Sequence, residues 1–126
     1  MEFDLRGFET ISANKERPLL SIAGSDLTFA RSAVEALGRP AYVHLLINEK
    51  ERLLAVSPCE ADSDSISFYK EKASGLLAVR ITLKHVLERV TVLVQGGVGD
   101  QRWRVNGTCY DGPVLVFDFS KAYRAE

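Results

Sequence analysis

The sequence predicts an α+β fold: a β-rich single domain in which two strand–helix–hairpin units pack about a pseudo-two-fold axis. The first observation behind this is an internal repeat. Leu27–Phe29, Arg31–Leu37, Tyr42–Ile47, a charged turn and Leu53–Val56 read as strand, helix, strand, turn, strand. Arg80–Leu83, Lys84–Val94, Arg102–Val105, a turn and Val114–Phe119 read the same way again. A pattern recurring at this length marks one supersecondary unit used twice. The second observation is composition. With 46% hydrophobic and 26% charged residues, a chain of 126 residues has the make-up and the length for one soluble core. The pattern divides the chain into an arm (residues 1–17), a first unit (18–58), a linker (59–75) and a second unit (76–126), with 18–126 as one intertwined domain.

The elements follow in order. The polar arm is expected to hold at most a short strand near Phe8–Ile11. Pro18 opens an apolar strand over Leu19–Ile22. Ala23-Gly24-Ser25-Asp26 is a turn, in which Gly permits positive φ and Ser and Asp can bond the local backbone. Leu27–Phe29 is the returning strand. Ala30, Ala33, Val34 and Leu37 then fall at i, i+3, i+4 and i+7, one face of a short helix. Gly38 suits its C-terminal cap, and Pro40 prevents continuation.

From Tyr42 the period drops to two. Both faces of Tyr42–Ile47 are largely apolar, which predicts a strand buried on both sides and a packed His44. Asn48–Glu51 is a hairpin turn, Arg52–Val56 the return strand, and Ser57-Pro58 its expected end. The linker begins acidic, with Glu60, Asp62 and Asp64, and its Ile66, Phe68 and Tyr69 predict that its second half docks. Leu76–Leu83 reads as a long strand. Val86, Leu87, Val90, Leu93 and Val94 form a helical stripe, weakened by the β-branched run Val90–Val92. Gly96–Asp100 is a loop. Trp103 and Val105 alternate with Arg102 and Arg104, which puts the indole in the core and the arginines on the rim. After Asp111-Gly112-Pro113, Leu115, Phe117 and Phe119 form an apolar face.

The segment from Leu20 through Gly24, Leu27–Phe29 and Ala36-Leu37-Gly38 to the hairpin ending at Val56 resembles the AbrB/MraZ group of swapped-hairpin transcription factors. The resemblance is close over residues 18–57 and one of pattern over 76–120. It implies a swapped-hairpin barrel with both units in one chain, and a DNA-binding transcriptional regulator. Gly24 is followed by Ser25 where the family carries Arg, Phe29 or Ala30 replaces its helix-opening Pro, and Val34 and Glu35 stand where its helix carries Arg. These departures bear on activity more than on fold. The chain also looks like small bacterial proteins in which this architecture has no assigned role.

The basic residues nearest the helix termini, Arg31, Arg39, Arg80, Lys84 and His85, are the candidate contacts to duplex DNA. Arg31 and Lys84 occupy matching places in the two units, and a symmetric basic pair suits a two-fold DNA site. A net charge of −1 and a pI near 6.1 weigh against an extended basic surface but leave room for a local one. The competing class is a non-enzymatic protein-interaction or small-ligand-binding module that keeps the barrel without DNA binding; in either class a second copy of the chain, as a homodimer, is a candidate partner.

Enzyme chemistry has little support. Cys59 and Cys109 read as free thiols, and neither they nor His44 and His85 stand at chelating or catalytic spacing, so no catalytic residue, metal or cofactor is expected. Gly96-Gly97-Val98-Gly99 leaves a helix rather than entering one, unlike a phosphate loop. No apolar run reaches the roughly 18 residues of a membrane span. The opening Met1–Arg6 carries acid where a secretory leader carries base, and the expectation is a cytoplasmic protein with no membrane partner.

Overall fold

Period-two burial organises most of the chain. A computed structural model describes residues 17–70 and 77–124. The strand expected near Phe8–Ile11 lies outside the described residues. In β1 (Leu19–Ile22), Leu20 and Ile22 are fully buried while their neighbours are not. The turn to β2 (Leu27–Phe29) is closed by the Ala23 N–H donating to the Asp26 carbonyl at 3.0 Å. Gly24 does not use positive φ there. Helix α1 (Arg31–Ala36) buries Ala33 and Val34. It is closed by Gly38 at φ 82 and, beyond expectation, Arg39 at φ 56, whose N–H bonds the Val34 carbonyl at 3.0 Å.

The first hairpin is β3 (Tyr42–Asn48) and β4 (Leu53–Cys59). It differs from expectation in two ways. Pro58 does not end β4, because residues 57–59 pair with β3 alone; β8 stops at Val56. A proline there disturbs no second ladder. Nor is β3 buried on both sides. Val43 is fully buried, but Leu46 is 53% exposed and His44 only half-buried, because no described element covers the outer face.

The linker contributes β5 (Ile66–Ser67), which pairs with β3, and Phe68, whose ring meets Phe29 edge-on at 5.1 Å. The expected long strand over 76–83 is the short β6 (Val79–Ile81), with Leu76 outside the described residues and Leu83 serving as the N-cap of α2 (Lys84–Thr91). This helix ends before Val94. Its β-branched end passes into turns, with Gly96 and Gly97 both at positive φ. The second hairpin, β7 (Trp103–Tyr110) and β8 (Val114–Asp118), is longer than predicted on its first strand. A 3-10 turn, Phe119–Lys121, leads to β9 (Tyr123–Arg124).

All described strand pairs are antiparallel, in the order β5-β3-β4-β8-β7-β1-β2-β6, with β9 also on β7. The result is a strand-rich single domain whose curled sheet brings its two edges toward each other. Ile66 and Ser67 of β5 and Arg80 and Ile81 of β6 are opposite walls of one groove. The core fills the concave side, with Phe29 and Phe117 in edge contact at 5.9 Å. No described helix is long and apolar enough to cross a membrane.

Candidate functional site

The antiparallel register of β2 and β6 places the basic candidates. Thr28 stands opposite Arg80, so α1 leaves one end of this two-stranded ribbon and α2 leaves the other. Arg31 and Lys84 open those two helices, and Arg80 lies between them on the strand. His85 follows Lys84 and lines the groove between the sheet edges. Arg39 lies at the far end of α1, away from its start.

Carboxylates hold most of these cations. Glu35 receives Arg31 Nε at 3.0 Å and Arg39 Nη2 at 3.7 Å. Arg80 Nη2 reaches Asp26 Oδ2 at 3.4 Å, while its own side chain stays 65% exposed. Lys84 forms no ion pair with another described residue.

Asp26, expected to bond the local backbone of its turn, is instead the one charged side chain in the described core, 2% exposed. Arg102 grips it with two donors, Nη1 to Oδ1 at 3.0 Å and Nη2 to Oδ2 at 2.9 Å. The Thr28 hydroxyl donates to Oδ1 at 3.1 Å. These contacts, Arg102 foremost, hold the Asp26 carboxyl below its ordinary range against the opposing effect of burial. Arg102 Nη1 also donates to Ser21 Oγ at 2.8 Å, so the guanidinium ties β1, the β1–β2 turn and the approach to β7. The arginine expected on the rim is thus a clamp. Trp103 is half-buried against the core rather than inside it, its Nε1 donating to the Val98 carbonyl at 3.2 Å.

The groove has a volume of about 580 Å³. One wall is the 63–67 segment with Asp64 and three serines; the other is Arg80–Leu83 and His85. No family model, curated protein or solved structure matches this chain.

A second group lies beside that wall. His44, Cys59 and Asp62 bring their ligand atoms within 4.8 Å of one another. Register explains how. Tyr42 faces Cys59 and His44 faces Ser57, so Cys59 is the diagonal neighbour of His44 on the outer face. Ending β4 at Ser57-Pro58 hid this, because it placed Cys59 in a linker. Asp62 Oδ2 sits 2.7 Å from His44 Nε2, while Oδ1 accepts the Asp64 N–H at 2.8 Å. The Asp64 N–H, and then His44, keep the Asp62 carboxyl below its usual range. Burial, and then the Asp62 charge, push the Cys59 thiol up.

Proposed function

We propose that this chain is a DNA-binding transcriptional regulator of the AbrB/MraZ type, built as a pseudo-two-fold swapped-hairpin barrel and meeting duplex DNA through a short basic face near the helix starts. One observation supports the functional reading: Arg31 opens α1 three residues after Thr28 and Lys84 opens α2 four residues after its ladder partner Arg80, so both helix starts flank one ribbon with Arg80 between them. Charge supports it. Arg31 and Arg39 share one carboxylate, and Arg80 and Arg102 share another, so each arginine pair keeps a net positive charge.

Strand exchange supports the barrel. Written as two units, β1-β2-α1-β3-β4 and β5-β6-α2-β7-β8, the chain pairs the first strand of each unit with the hairpin of the other, β1 with β7 and β5 with β3. The remaining cross-unit pairs, β2 with β6 and β4 with β8, join equivalent strands. Among the described pairs the scheme is unchanged when the units are interchanged, except that β1–β2 has no β5–β6 counterpart and β7–β9 has none on β3. The groove lies at that open seam.

Fluorescence polarisation with random-sequence duplex DNA tests the function. Expected is micromolar binding that weakens as salt rises, with Lys84→Ala or Arg31→Ala each reducing the slope of log affinity against log salt by about one. Binding indifferent to salt, or absent at low salt, removes the proposal. The second reading, a protein-interaction or ligand module, is favoured by the mixed polar groove and by Asp64 opposite Arg80. It expects no DNA binding and normal folding of both variants.

A further inference from the structure

We propose that His44, Cys59 and Asp62 form a binding site for a zinc-type divalent cation. The three side chains offer one nitrogen, one sulfur and one oxygen ligand, mutually within 4.8 Å. In a tetrahedral zinc site, bonds of about 2.0–2.3 Å to such atoms place the ligands roughly 3.5 Å apart. The group therefore needs shifts of an ångström or so, within reach of side-chain rotation on one hairpin and its adjoining turn. A thiolate together with an imidazole selects zinc over magnesium or calcium, which take oxygen-rich shells.

The scaffold is set in advance. His44 and Cys59 are diagonal neighbours in the β3–β4 ladder, so their separation is a property of the sheet. Asp62 is aimed by its own turn. Its N–H donates to Ser65 Oγ at 2.9 Å, Ser65 Oγ donates to the Asp62 carbonyl at 3.0 Å, and the Asp64 N–H holds Oδ1. That leaves Oδ2 toward His44. A ligand carboxylate whose second oxygen is bonded by a neighbour is the usual outer-shell arrangement of a metal site. The side chains of His44 and Asp62 are 34% and 47% exposed, so water completes the fourth position.

The protons balance. A carboxylate oxygen accepts, so the 2.7 Å contact has His44 Nε2 as the donor. When Nε2 takes the cation, its proton is lost to solvent and Nδ1 takes one up, so the neutral ring still carries a single N–H. The Cys59 thiol releases one proton to solvent and binds as thiolate. No redox partner is needed. The bound ion would also anchor the turn that leads into Ser63–Ser67, one wall of the groove.

Cobalt(II) as a spectroscopic probe of the chelator-stripped, reduced full-length protein tests the site. Expected is one equivalent bound with a thiolate-to-cobalt charge-transfer band, displaced by zinc and untouched by excess magnesium. Cys109, exposed on the other hairpin, is the internal control, and Cys109→Ser should keep the band. Cys59→Ser should abolish it. His44→Gln and Asp62→Asn should each weaken cobalt affinity about tenfold or more. Zinc should also slow amide exchange in residues 62–67 of the wild type and not of Cys59→Ser. A band that survives in Cys59→Ser, unchanged affinity in both His44→Gln and Asp62→Asn, or no binding at all overturns the proposal. Circular dichroism confirms that each variant is folded.

Discussion

Asp26 shows how much one buried charge can organise. A carboxylate 2% exposed is tolerable only because Arg102 and Thr28 satisfy it, with Arg80 more distant. Arg102→Ala removes two charge-assisted hydrogen bonds and leaves the carboxylate largely uncompensated. It should destabilise by about 2 kcal/mol in urea unfolding, moderated because the guanidinium is partly exposed. Arg80→Ala, with one long contact from an exposed side chain, should cost less than about 1 kcal/mol. The pH dependence has a definite sign. The folded pKa of Asp26 is depressed, so its stabilisation is full above the unfolded value of about 4 and fades as pH falls through the folded value. Asp26→Asn should therefore be less stable than wild type at neutral pH, with the difference shrinking below about pH 4. A constant difference across that range, measured by thermal unfolding, would show that the charge is not responsible. None of this was legible in the sequence. An Asp in a Gly-Ser-Asp turn reads as a local backbone partner, and its two arginines lie 54 and 76 positions away.

At the scale of elements, legibility followed periodicity. β1, β2 and both helix starts came out as read, since alternation and helical spacing are local. Strand ends did not, because they depend on which neighbour is present. β4 runs through Pro58 since β8 has already ended, and β7 runs to Tyr110 because it exchanges partners midway. Gly107 marks that exchange. Its N–H donates to the Pro18 carbonyl at 2.8 Å, and from this residue onward β7 pairs with β8. Directly opposite it in the ladder is Phe117, whose ring would lie 2.7 Å from a Cβ at position 107. The ring is fully buried and in contact with Phe29, so it has little room to yield. Gly107→Ala should cost about 1–3 kcal/mol through overpacking. In a Phe117→Leu background the same change should cost at least about 0.5 kcal/mol less, because the clash is gone. Equal costs in the two backgrounds, compared by denaturant midpoints, would place the effect elsewhere than in that contact.

For the whole molecule, the decisive property is that neither half owns its own sheet. β1 completes the hairpin of the second half and β5 that of the first, while β2–β6 and β4–β8 cross between them. The sequence predicted that 18–126 would intertwine, but not which strand pairs with which, since period-two segments carry no address for their partner strand. Of the basic candidates, Arg31, Arg80 and Lys84 come to one ribbon and His85 follows Lys84, whereas Arg39 lies at the opposite end of α1. The crossing has an energetic consequence. A fragment ending at residue 60 would keep β1, β2 and the β3–β4 hairpin but lose every strand that covers β1 on one side, β3 at its edge and β4 along β8. Buried side chains such as Ile22, Val43 and Leu54 would then face water, and a lone hairpin with a two-stranded ribbon cannot offset the chain entropy. Residues 1–60 and 61–126 made separately should each lack a cooperative thermal transition as monomers. Mixed in equal amounts, they should regain one, together with the slow amide exchange of β4, β7 and β8. A sharp unfolding transition from either fragment as a dilute monomer, established by sedimentation, would mean that the halves are independent units joined side by side.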